Sequence, residues 1–232
     1  MIQTIALRKA VLPAVVFDVG ANVGDWTGGI LRIANRANIA ARVHAFEPCG
    51  DTFKLLQARY RDNQDVCLVQ RACARTAGSA QMHVYGKFLG TNSLAGPIDE
   101  RPAESEEVQL TTLDLYCQAA RIERIDLLKI DAEGFDFEVM VGASRMLDRK
   151  AIRVLQFEYN HRWIGARNYL KDVFSLLAPR GYAIGKITGR QVEFYPRWKW
   201  ELETWDEGNY VCCLKGDEEQ FPILQPKWLS FG

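Results

Sequence analysis

Residues 17–27 read FDVGANVGDWT, an apolar strand running straight into a glycine-spaced turn that opens a helix, and few folds accommodate that succession. Gly20 and Gly24 permit positive φ and let a ligand approach bare backbone, while free N–H groups at a helix start favour a negative group such as a carboxylate. The rest of the chain keeps the rhythm. Short apolar runs at 15–19, 42–46, 66–69, 108–111, 126–130 and 152–157 alternate with helical patterns at 52–61, 113–120, 139–147 and 169–177. Residues 80–85 read as an added strand, and 182–187 and 210–214 as closing ones. The expected fold is α/β: a doubly wound, mostly parallel sheet with helices on both faces.

At 232 residues the chain suits one domain, with its core at about 15–214. Lys plus Arg and Asp plus Glu number 29 each, so no overall positive field gathers polyanions, and a nucleic-acid partner is not expected. No apolar stretch suits a signal peptide or a membrane span, so a cytoplasmic protein is expected. The six cysteines lack metal-ligand spacing and read as reduced, mostly buried thiols. Residues 86–107 hold glycines, prolines and charges without periodicity, the mark of a lid-like insert. Within it Thr91-Asn92-Ser93 is a candidate for setting substrate choice.

A dinucleotide fingerprint needs glycines two and five positions after Gly20, where Asn22 and Asp25 stand. Asp25 would also put negative charge where a pyrophosphate sits, which disfavours NAD more than S-adenosylmethionine. The second strand ends in HAFEP, placing Glu47 where an acid accepts two hydrogen bonds from a ribose diol. Pro48, without an N–H, ends that strand and turns the chain back over the nucleoside.

With LLKIDAEGFDFEVMVGA at 127–143 added, the ordered set DVGANVG, FEP, KIDAEG and VGA resembles the FkbM family of methyltransferases. The resemblance implies a seven-stranded Rossmann-like sheet, S-adenosylmethionine as cofactor, and O-methylation of hydroxyls on sugars or natural products. By position, it implies that Asp18, Gly20, Ala21, Asn22, Val23 and Gly24 hold the methionine moiety, Glu47 and Pro48 the ribose, and Arg71 and Ala72 the adenine. Asp131 and Glu133 would line the methyl-transfer end. The family often has Asn at the place of Arg71 and a longer acid at that of Asp136.

In open α/β sheets ligands bind beyond the carboxyl ends of the strands, here Asp131-Ala132-Glu133 and Glu158-Tyr159-Asn160-His161. Methyl transfer is an in-line displacement, and a hydroxyl needs help in losing its proton. His161 is the histidine placed to take it; His44 and His83 lie inside strands. Asp131, Glu158 and Asn160 are the alternative, an oxygen-rich magnesium or calcium site, although no resident metal is expected. An amino-methylating nucleic-acid enzyme would carry Asn/Asp-Pro-Pro-aromatic where Asp131-Ala132-Glu133-Gly134 stands. A silent cofactor-binding protein would keep Glu47 but need no acids at the later strand ends. Tyr195, Trp198, Trp200 and Trp205 form either a stacking or homo-oligomer surface or a packed edge strand.

Overall fold

The computed structural model describes residues 1–85, 92–94 and 104–224. Its elements in chain order are α1 (Ile2–Arg8), β1 (Ala14–Val19), α2 (Asp25–Arg36), β2 (Ala41–Phe46), α3 (Gly50–Tyr60), β3 (Val66–Val69), β4 (Ala72–Cys73), β5 (Gly78–Val84) and β6 (Glu104–Thr111). They continue with α4 (Leu113–Ala120), β7 (Ile125–Ile130), α5 (Asp136–Val141), α6 (Ser144–Asp148), β8 (Ile152–Tyr159), α7 (Leu170–Leu177), β9 (Tyr182–Thr188), β10 (Gln191–Tyr195) and β11 (Gly208–Leu214).

The main sheet has eight strands in the order β10-β9-β11-β8-β7-β1-β2-β3. From β3 to β8 the pairing is parallel; β11 runs antiparallel between β8 and β9, and β10 returns antiparallel on β9. The expectation of seven strands is therefore corrected to eight. The extra strand arises because Gly189, at φ +59, starts a two-residue turn that folds 191–195 back on β9. A second, three-stranded sheet, β4-β6-β5, stands apart.

Every residue of β7 is buried, as befits a central parallel strand covered on both faces, and this is why it reads as an apolar run. Helices lie on both faces. Ile2, Ala6 and Leu7 of α1 and Ile30 and Ala34 of α2 pack against Val16, Val43, Leu127 and Val154 on one face, where Leu56 and Tyr60 of α3 join Ala45. On the other face α4 to α7 bring Leu113, Val139, Met146 and Phe174 onto Phe17, Leu128 and Phe157.

The helical pattern 139–147 is two helices, broken at Gly142, where a Cβ would lie 2.1 Å from the carbonyl oxygen of Ala74. The expected irregular insert ends sooner than residue 107, because Glu104 already begins β6 and pairs with Val84. Thr91 and most of the insert lie outside the described residues. All six cysteines are free thiols, and all but Cys67 are buried. No helix among the described residues is long and apolar enough to cross a membrane.

Candidate functional site

The carboxyl ends of β1, β2 and β7 and one side of the small sheet enclose a cleft. The first turn forms its floor. Gly20 at φ +77, Asn22 at +49 and Gly24 at +84 reverse the chain, and a Cβ on Gly20 would stand 2.0 Å from the carbonyl oxygen of Asp131. Strand β7 therefore approaches the turn at a distance that only glycine permits. The turn is strapped down. Gly20 and Ala21 donate their N–H groups to the carbonyl of Phe46, at 3.1 and 2.8 Å, and the Tyr60 hydroxyl donates to that of Gly24 at 2.7 Å.

The backbone N–H groups of Gly20, Ala21, Asn22 and Gly24 are thus all spent within the protein. Asn22 lines the cleft, and its buried Oδ1 has no hydrogen-bond partner among the described residues. Such an orphaned oxygen suits a ligand N–H.

Glu47 stands at the end of β2, 6% exposed, and lines the cleft. Its carboxylate accepts the N–H groups of Asn22 and Cys49, each at 3.0 Å. Burial pushes its pKa up to about 7, against the pull of those two N–H groups and with a small push from Asp18 and Glu106. A ligand hydroxyl donating to it would favour the ionised form. Pro48, Arg71 and Ala72 line the same cleft, with Arg71 exposed.

Asp131 and Glu133 form the opposite side. Lys129 lies 3.2 Å from Asp131 and 3.4 Å from Asp18. Asp18 also accepts the Thr27 hydroxyl at 2.7 Å and is wholly buried beneath the turn. Glu133, at φ +54, is paired with Arg162, and its carbonyl accepts the Ser93 hydroxyl at 2.7 Å. Ser93 bridges in turn to His83 of β5, so Asn92 and Leu94 flank the cleft.

Glu158 ends β8 one strand further on, with Asn160 Nδ2 donating to it at 3.2 Å. Burial, then Asp131 and Glu207, push its pKa up to about 7. Asp136 is fully buried nearby, pushed up to about 8 by burial and then by Asp131 and Glu158. His161 opens the one-turn helix His161–Ile164, exposed and away from the cleft lining. His44 is a packed residue as expected, its ring on Phe17 and its Nδ1 2.8 Å from the Tyr116 hydroxyl. No group of three or more metal-liking side chains among the described residues is placed to hold an ion.

The structure thus gathers Gly20, Asn22, Glu47, Pro48, Arg71, Ala72, Asp131 and Glu133 around one cleft. Asp18, Ala21, Val23 and Gly24 support it from beneath or beside, and Glu158 and His161 lie beyond its lining. Sequence reasoning missed the apolar wall of Met82, Leu94 and Phe135, and the buried cation Lys129. Alternation along β5 was the one available signal for Met82.

A mostly parallel sheet carrying a glycine turn and an acid on successive strand ends is a Rossmann-like arrangement of the kind that binds an adenosine-containing ligand. Residues 18–184 match the Methyltransferase FkbM domain, and the chain belongs to that family. It is similar to the crystal structure of the FkbM methyltransferase from Methylobacillus flagellatus KT, with a TM-score of 0.53 and 17% identity over 90% of this chain and 47% of that one. It is also 31% identical, over 75% of its length, to the AMB antimetabolite synthetase AmbE of Pseudomonas aeruginosa. The chain spans only 10% of that relative.

Proposed function

We propose that this chain binds S-adenosylmethionine and transfers its methyl group to a hydroxyl oxygen of a small molecule such as a sugar or a natural product. The observation that carries this reading is Glu47, a buried acid whose two oxygens already hold backbone N–H groups and still face the cleft beside the glycine turn. That is an acceptor pair suited to a ribose diol. Bound S-adenosylmethionine supplies a methyl carbon on a sulfonium sulfur, open to in-line displacement.

The residues of the chain divide the remaining work. Asn22 Oδ1 and Asp131 accept from the amino group of the methionine part, and Arg71, Ala72 and Met82 flank the base. Asp131 and Glu133 line the methyl end. Glu158, its pKa pushed up to about 7 and one strand from Asp131, is the group placed to take the hydroxyl proton. The likeness to part of an antimetabolite synthetase supports a small-molecule acceptor.

Calorimetry with S-adenosylhomocysteine and with NAD is the first test; equal affinity for the two would sink the cofactor reading. A screen with radiolabelled methyl donor over sugars and natural products then identifies the acceptor. With it in hand, kcat rises with pH through about 7, the value to which Glu158 is pushed up. Glu158→Gln lowers kcat about a hundredfold at unchanged KM. If His161→Ala causes that loss instead, the proton goes to His161, and activity lost to chelator and restored by magnesium means that a metal takes part.

A further inference from the structure

We infer that Lys129 is a positioning residue: its ammonium group, seated between the first turn and the end of β7, holds the Asp131 carboxylate toward the cleft. This rests on the proposed cofactor reading of the cleft.

Strands β1 and β7 are in register with Asp18 beside Lys129, so the two side chains share one face of the sheet. The lysine Nζ donates to the Gly20 carbonyl oxygen at 3.5 Å and forms ion pairs with Asp131 at 3.2 Å and Asp18 at 3.4 Å. The Trp26 ring closes over it at 5.8 Å. Burial works against the charge, but Asp18 and Asp131 outweigh it and raise the lysine pKa above its ordinary value. Lys129 stays charged and lies outside the cleft lining, so it does not touch a ligand itself.

Lys129 instead acts through what it holds. Thr27 fixes Asp18 from α2, Asp18 fixes Lys129, and Lys129 takes one oxygen of Asp131, leaving the other for the cleft. Asp18 on β1 holds the same ammonium group from the neighbouring strand. Without the cation, Asp18 and Asp131 would have no counter-charge between them, and the Asp131 carboxylate would lose its anchor. A merely structural ion pair would stabilise the sheet equally whatever stands at 131.

A double-mutant cycle read by calorimetry with S-adenosylhomocysteine separates the two roles. Lys129→Met weakens binding about tenfold in the wild-type background, the effect of displacing a charge-assisted hydrogen bond, and by less than about twofold in the Asp131→Asn background. An equal loss in both backgrounds, or no loss in either, overturns the inference. Lys129→Arg keeps a cation over Asp18 and serves if the methionine variant does not fold; its loss of affinity must likewise vanish with Asp131→Asn. If the wild-type protein itself fails to bind, the cofactor reading falls first and this inference with it.

Discussion

A carboxyl group buried where Glu47 lies has opposite effects on the empty and the occupied protein. Its folded pKa, about 7, stands above the usual 4.5, so between those values the folded state binds more protons than the unfolded one. Its contribution to stability therefore falls as pH rises through that window. Ligand binding runs the other way, because a ribose diol donates to the ionised form. The dissociation constant for S-adenosylhomocysteine is expected to be about tenfold weaker at pH 6 than at pH 8, following the ionised fraction of a group that titrates near 7. Glu47→Ala removes most of this slope and weakens binding at pH 8 by about ten- to a hundredfold, the loss of a charged hydrogen-bond acceptor. Calorimetry at the two pH values checks both, and a flat wild-type profile would take Glu47 out of the ribose role. This residue was legible in the sequence because HAFEP ends an apolar strand. Lys129 was not, since its burial depends on which strand lies beside β7 and in what register.

At the scale of elements, the segment between β10 and β11 is organised by one side chain. The Glu203 carboxylate accepts the Tyr159 hydroxyl at 2.5 Å, Trp198 Nε1 at 2.8 Å, and the N–H groups of Leu170 and Lys171 at 3.2 and 2.8 Å. It thereby caps α7, ties the segment to the end of β8, and complements the positive end of the helix. Glu203→Ala should cost about 3 kcal/mol in urea denaturation, as several buried donors lose one charged acceptor. Glu203→Gln should recover less than half of that, since its amide nitrogen cannot accept. A cost under about 0.5 kcal/mol for the alanine variant would contradict the anchoring role. The sequence placed an aromatic cluster here with two readings open. Tyr195 does end the edge strand β10, while Trp205 packs on Tyr159 and Tyr169, and Trp200 is left 74% exposed. Elements carried by long apolar runs, such as β1, β7 and β8, were readable to within two residues. Helix α1 was not, being a single short stretch with no capping side chain, and β4, two residues long, owes its existence to pairing with β6.

In the whole molecule three acids, Glu47 and Asp136 buried and Glu158 half-buried, lean the same way: Glu47 and Glu158 are pushed up to about 7 and Asp136 to about 8. Each makes folding less favourable as pH rises through its window, so the melting temperature of the ligand-free protein is expected to be lower at pH 8 than at pH 6. S-adenosylhomocysteine fixed at about a hundred times its dissociation constant at pH 8 should add about 2.7 kcal/mol there and about 1.4 kcal/mol at pH 6, narrowing that gap. Differential scanning calorimetry with and without ligand decides it, and a higher ligand-free melting temperature at pH 8 would count against the burial of these acids. The cleft's apolar wall escaped the sequence for a global reason: Met82 and Leu94 reach it only because the small sheet packs beside the large one. The close contact of Gly20 with the Asp131 carbonyl has an effect reaching beyond the cleft. A slip of one residue between β1 and β7 would set Val19 or Ala21 where only a bare Cα fits. The glycine therefore works as a proofreading notch for the folding chain, admitting the central strands in a single alignment and rejecting the neighbouring ones by collision.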